Sequence, residues 1–286
     1  MILPGFILVV IFSYVPMAGI IIAFQKFIPA KKLFGDQKWI GLDNFKYVMS
    51  LPNFDNLLWN TFYIATMKVI LGLIVPIVIA LLLNEMKHAL LKRSIQTAIY
   101  LPHFISWVVL GGIFIDMLSP TDGVINNLLV KLGFEPIFFL GDNKWFPITM
   151  ILTDTWKEFG YGTIIYLAAL TGVNPNLYEA AQIDGANRWK QTLHISIPGI
   201  QMVIVLLMVL NLGNLLNAGF DQIFNMYSPM VYESGDILDT FVYRIGLLDA
   251  QFGVATAVGL FKSVIALVLV SSSYYLAYRF ADYRIF

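Results

Sequence analysis

The chain of 286 residues is 58% hydrophobic and 13% charged, well below the charged share of about 25% in an average soluble domain, so it reads as an integral membrane protein. Its 18 basic and 18 acidic residues balance, which argues against a nucleic-acid partner, because a phosphate-binding surface needs a basic excess. No cysteine is present, which removes disulfides and thiolate metal sites, and His88, His103 and His194 are scattered without a His-x-x-x-His pairing.

The apolar runs divide the chain into six expected spans. The first, at about residues 3–24, contains Pro4 and Pro16 yet is long enough to cross a bilayer, and it lacks the basic start of a cleavable signal. Residues 25–56 carry Lys26, Lys31, Lys32, Asp36, Lys38 and Asp43 beside Trp39, as an external loop with an interfacial aromatic would. A second span at about 58–83 is followed by a short connection, 85–96, with Lys87, Lys92 and Arg93. The third, about 97–118, holds Pro102 and the small pair Gly111 and Gly112, which allows close helix approach, and Asp116 near its outer end reads as interfacial. Turn signals fill 119–145, with an apolar piece between them that would lie along the membrane surface. The fourth span is expected at about 146–170, the fifth at 199–220 and the last at 254–278, with an acidic outer stretch of Glu233, Asp236 and Asp239 before the last.

Six spans put both ends and the connections 85–96 and 172–198 on one side. Lys87, Lys92, Arg93, Arg188, Lys190, Arg279 and Arg284 fall there, dense and close to span ends, whereas the outer basic residues are spread over longer loops among most of the acids.

Ionisable or amide side chains inside spans must face protein or water, so they mark candidate function. Asn211, Asn214, Asn217 and Asp221 share one stripe of a continuous fifth helix and suit the hydroxyls of a sugar, or else they glue helices together. The fourth span carries Asp154, Trp156, Lys157, Glu158 and Tyr161. Asp154 and Glu158 lie one turn apart, and Lys157 is placed to neutralise Asp154. A carboxylate beside aromatic rings can hold a sugar; the alternative is an internal ion pair with Lys68 or Lys262. Two carboxylates on one rigid helix turn cannot straddle a glycosidic bond, which argues against hydrolysis.

The polar stretch between the fourth and fifth spans is regular. Asn176 is expected to cap a short helix with Glu179 as its reciprocal partner, and Gly185 supplies a left-handed residue for the turn. A second short helix then carries Arg188, Trp189 and Lys190, and Ser196-Ile197-Pro198 is expected to end the unit.

This loop resembles the EAA motif of permease subunits of bacterial ABC importers: Glu179-Ala180-Ala181, three residues, Gly185, nine residues, Ile195, one residue, Ile197 in the leucine place, and Pro198. The run Asp184-Gly185-Ala186 and Trp189 resemble the carbohydrate-importing branch, with Thr192 standing where that branch often has Phe. Tyr14-Val15-Pro16-Met17, Ala23-Phe24-Gln25-Lys26-Phe27 and Trp39-Ile40-Gly41-Leu42-Asp43-Asn44-Phe45 resemble a polysaccharide and oligosaccharide subgroup that includes alginate importers. Such permeases often carry a cytoplasmic N-terminal extension, so a chain that opens on an apolar span reads as trimmed.

The resemblance implies an all-α, type I importer permease of about six transmembrane helices, a single domain over 1–286 in the bacterial cytoplasmic (inner) membrane. It implies that Glu179, Ala180, Ala181, Asp184, Gly185 and Arg188 form a cytoplasmic coupling helix docking on an ATPase subunit. The implied partners are a second homologous permease, two ATPase subunits, an extracytoplasmic solute-binding protein, an oligosaccharide and membrane lipid. The chain would bind no cofactor, and ATP and Mg²⁺ would sit on the partner ATPase, since no phosphate-cradling Gly-rich Lys-Ser/Thr loop is present. Asp154, Trp156, Glu158, Tyr161, Asn211, Asn214 and Asn217 would line the substrate path. Lys26, Lys31 and Lys32 would accommodate an acidic polysaccharide, or merely contact lipid or the binding protein. The rival reading is an ion-coupled secondary sugar transporter with Asp154 or Glu158 as its coupling carboxylate; the internal repeats and paired interrupted helices of such proteins are not evident in the sequence.

Overall fold

A computed structural model describes residues 2–281, with side-chain surroundings for most of them. Helix dominates. The first helical run, α1 (Leu3–Phe24), does not break at Pro16, which lacks an amide hydrogen; the backbone widens into a π turn over Val10–Tyr14 and tightens to 3₁₀ over Ala18–Phe24. A short antiparallel ribbon of β1 (Gln25–Lys26) and β2 (Lys38–Trp39) follows, tied to the end of α1 where the Phe24 and Trp39 rings stack at 5.7 Å. After α2 (Asp43–Met49) comes the long α3 (Phe54–Asn84), then α4 (Ala89–Tyr100), α5 (Trp107–Met117) and the outer α6 (Val124–Lys131). The chain continues with α7 (Trp145–Thr171), α8 (Pro175–Ile183), α9 (Arg188–Gly199), α10 (Gln201–Leu212), α11 (Phe220–Met226), α12 (Leu238–Tyr243) and α13 (Phe252–Ala281).

Among the described residues, three helical stretches are long and apolar enough to cross a membrane: α1, α3 and Phe252–Ser272 of α13. Two further spans are bent, by 103° between Ala89–Phe104 and α5 and by 60° between α9 and α10. The sixth, α7, has the length, but Asp154, Lys157 and Glu158 sit together at its middle. The third span is therefore not the continuous helix expected over 97–118. Pro102 sits in a 3₁₀ turn, and Ser106 starts α5 afresh by accepting the Val109 amide at 3.4 Å. The fifth is not continuous either: helix ends at Leu212, residues 213–219 unwind, and Gly219 at φ 94° opens α11. Two interrupted spans mean that unbroken helices cannot be used against the secondary-transporter reading.

Large apolar side chains such as Phe12, Trp59, Ile74, Leu82, Met202 and Leu210 point outward, the inverse of a soluble fold and the arrangement lipid or a neighbouring helix requires. The centre of the bundle is α3 against α7, with the Ile64, Phe146, Met150 and Ile223 cluster towards the start of these helices and the Ala80, Leu83, Tyr166 and Ile200 cluster towards their C-terminal ends. The connections 85–96 and 172–198 share one end, where Arg188 donates to the Glu85 carboxylate at 2.8 Å. At the other end Asn60 donates to the Glu233 carbonyl at 2.9 Å, and Ser234 to Asn143 at 2.9 Å. Of the basic residues expected on the inner side, Arg284 and the side chain of Arg279 lie outside the described residues.

Gly160 on α7 brings two backbones together: a Cβ there would fall 1.8 Å from the Ile99 carbonyl oxygen. Gly160→Ala must separate α7 from α4, at a cost of about 1–3 kcal/mol, whereas Gly259→Ala on α13 meets nothing within 4 Å. Melting of the purified protein in detergent should drop for the first and not for the second. Equal behaviour of the two would contradict this packing.

Candidate functional site

Where α3, α7 and the unwound segment after α10 meet, they enclose a cavity of about 360 Å³. Asp154, Glu158 and Tyr161 line it from α7, Lys68 and Gly72 from α3, and Asn211, Asn214 and Asn217 from the fifth span. The last three line it across the break of that span. Asn211 lies in the last turn of α10, while Asn214 and Asn217 sit in the unwound stretch with Leu215 and Leu216 buried behind them. The two amides are linked, Asn217 Nδ2 donating to Asn214 Oδ1 at 3.1 Å. Asp221, the fourth member of the expected stripe, lies on the next helix and is not part of the lining.

Charge at this depth is paired. The Lys68 ammonium lies 3.3 Å from Asp154 Oδ1, which is the internal pair that the sequence offered as an alternative to sugar binding by Asp154. Lys262, the other candidate partner, pairs with Asp239 at 2.6 Å. Lys157 does not neutralise Asp154 as expected. It donates to Glu158 Oε1 at 2.8 Å and to the His103 carbonyl at 2.9 Å, because its side chain points to the α4/α5 bend and away from Asp154. Glu158 also bonds the His103 ring at 2.7 Å, and that ring stacks on Tyr161 with centroids 4.2 Å apart. The carboxylates are thus held in place, while the exposed side chains of Asn214, Asn217 and Tyr161 still open on the cavity. The lining therefore offers amides that both donate and accept beside paired charges.

One expected residue is misplaced. Trp156 stands on another side of α7, edge-on to Phe114 with ring centroids 5.7 Å apart, and does not line the cavity. Successive helical residues are rotated by about 100°, so Trp156 cannot share the face of Asp154 and Glu158. Sequence reasoning missed His103 and Gln222. Lys68 was legible as the only charged residue between Asn56 and Asn84, which by itself flags a site.

At the far end, the loop 172–198 is two short helices as expected, with different caps. Asn174, not Asn176, caps α8, accepting the Asn176 amide at 3.0 Å, because Pro175 occupies the first helical position and forces its predecessor to be extended. Glu179 is consequently no capping partner; it is exposed, and among the described residues its side chain makes no hydrogen bond or ion pair. Gly185 adopts φ 75° and the Ala186 amide reaches back to the Ala181 carbonyl at 2.8 Å, closing α8. Asn187 caps α9 through the Lys190 amide at 2.9 Å. Pro198 does not end this unit: α9 absorbs it behind a π turn over Thr192–Ser196 and stops at Gly199. Ile183 and Trp189 stand out from the loop, 88% and 69% exposed, as an apolar surface that no other described residue covers.

A second, larger cavity of about 480 Å³ lies at the opposite end, between residues 51–57 and 232–244. Arg244 pairs there with Asp236 and packs 4.5 Å from the Tyr232 ring. Burial alone would lower the Arg244 guanidinium, but Asp236 outweighs it and holds the group above its ordinary range.

Residues 68–283 match the family described as binding-protein-dependent transport system inner membrane component. The polygalacturonan/rhamnogalacturonan transport system permease protein YteP of Bacillus subtilis (strain 168) is 44% identical over 286 residues, covering 100% of this chain and 89% of that protein. The arabinooligosaccharides transport system permease protein AraP of the same organism is 29% identical, covering 91% and 81%. Among solved structures, a chain of a bacterial ABC transporter involved in the import of the acidic polysaccharide alginate superposes with a TM-score of 0.90 at 38% identity, over 98% of this chain and 94% of that one. The family match over most of the chain, and the likeness along its whole length, show the permease family that the EAA spacing resembles. The chain belongs to the binding-protein-dependent transport system inner membrane components, as a multi-pass ABC importer permease of type I fold.

Proposed function

We propose that this permease carries an oligosaccharide through the cavity between Lys68, Tyr161 and Asn217, and that the substrate contains uronic acid residues. The convergence of Asp154, Glu158, Tyr161, Asn211, Asn214 and Asn217 on one cavity is the observation that carries the path. The acidic character rests on YteP and on the alginate transporter, whose names both point to acidic polysaccharides. In this reading the chain works in the bacterial inner membrane with a second, homologous permease, two ATPase subunits and an extracytoplasmic binding protein. One solved relative is described in complex with an alginate pentasaccharide-bound periplasmic protein. The chain binds no cofactor of its own; ATP and Mg²⁺ belong to the ATPase. Glu179, Ala180, Ala181, Asp184, Gly185 and Arg188 make up the surface that docks on it, together with Ile183 and Trp189.

Path and glue make opposite demands on the amides. If they line the path, Asn214→Leu slows uptake of an oligogalacturonide into proteoliposomes while the assembled complex melts as before. If they join helices, the same change lowers stability by roughly 0.6–2 kcal/mol and leaves uptake per complex unchanged, which would refute the path.

At the loop, Gly185 has open space around it, so a side chain there meets backbone strain and no clash. Gly185→Val should therefore cost about 1–2 kcal/mol locally and uncouple transport from ATP hydrolysis. The measurement is ATP hydrolysis by the assembled complex with and without sugar-loaded binding protein; undiminished stimulation would contradict the coupling role.

A further inference from the structure

The unwound segment 213–219 interrupts an apolar span, and its backbone is tied down by one side chain from another helix. The Lys68 ammonium, 8% exposed, donates to the Ala218 carbonyl at 2.7 Å and to Gln222 Oε1, and its third contact is Asp154. Gln222, fully buried, in turn donates to the Met150 carbonyl and to Thr153 Oγ1 on α7, both at 2.8 Å. All three ammonium donors are thus committed, one to the break itself and one to Gln222 on α11, which follows it directly. Gly219 fits this arrangement twice over: its φ of 94° suits glycine, and a Cβ there would sit 2.8 Å from Lys68 Nζ.

We propose that Lys68 is a positioning residue of the transport path: it holds the break of the fifth span in the one arrangement that turns Asn214 and Asn217 into the cavity. It acts through those amides and through Asp154, and is not itself a group that selects sugar. The proposal rests on the reading of the cavity as the path and adds what keeps it formed. A lysine is suited to the task because a single compact cation with three donors can satisfy a carbonyl freed by unwinding, an amide oxygen and a carboxylate at once, where lipid would offer none.

The absence of cysteine in the chain gives a direct test. Asn211→Cys, Asn214→Cys and Asn217→Cys are introduced singly into the assembled transporter, with partner subunits also made cysteine-free, and labelled in membranes with a charged, water-soluble methanethiosulfonate. The labelling rate follows the population in which the thiol faces the cavity. With Lys68 present, all three should label. Adding Lys68→Met should slow labelling at Asn214→Cys and Asn217→Cys by about tenfold while Asn211→Cys, on the intact end of α10, keeps its rate. Gly219→Ala displaces the ammonium without removing the charge and should give the same pattern, so the test survives if Lys68→Met does not assemble. Unchanged rates at 214 and 217 would overturn the proposal and leave the path intact, as would an equal fall at all three positions. Failure of all three thiols to label with Lys68 present would instead overturn the path, and the positioning role with it.

Discussion

A lysine in the middle of an apolar helix is the constraint from which the centre of this permease follows. An ammonium cannot be left in hydrocarbon, so α3 can occupy its place only if acceptors are brought to Lys68 from elsewhere. They come from Asp154 on α7 and from the Ala218 carbonyl and Gln222 at the break of the fifth span. Asp154 needs the cation as much as the cation needs it. The free carbonyl needs a donor because the helix that would have supplied one has ended. Removing any one member leaves the others unsatisfied at depth, where each such group costs far more than in water. The cavity forms beside this knot because an unwound segment presents amides where a straight helix would present only one face.

The cavity and the loop 172–198 are joined by chain as well as by packing. α7, which carries Asp154, Glu158 and Tyr161, runs into α8 through residues 172–174, and α9 leads through the bend at Ile200 into α10 and Asn211. Both polar walls are thus rooted in the same two short helices. Arg188 on Glu85 adds the C-terminal end of α3 to that anchorage, so all three elements around the cavity reach the loop. A tilt of the loop would be passed to these helices as rigid rods, with the 60° bend and the unwound segment as the places that yield. Alternating access by moving elements around a fixed site needs this kind of mechanical layout.

Much of this was legible in the sequence, for reasons that differ by residue. The six apolar runs and the loop between the fourth and fifth are set by composition, and Gly185 declared its left-handed turn because only glycine takes that conformation freely. The pair of Lys68 with Asp154 was one of two offered, and only packing chose it over Lys262. The breaks were signalled but not read: Pro102 in 101–106, and Gly213, Asn214, Asn217 and Gly219 in 213–219, are residue types that interrupt helices, while the partners that hold the second break unwound lie on other helices. Trp156 was misjudged by adjacency to Asp154 and Glu158, which a rotation of about 100° per residue does not respect. His103 was weighed only as a metal ligand, whereas its ring is fixed by Glu158 and Tyr161 after the chain turns at Pro102.

A structure of the assembled transporter, arrested during ATP hydrolysis with an oligogalacturonide on its binding protein, would show directly whether sugar passes through the cavity between α3, α7 and the fifth span. Passage through it places sugar density between Tyr161, Asn214 and Asn217, with Lys68 still on Asp154. Density that crosses the membrane without touching any of these three side chains would contradict it.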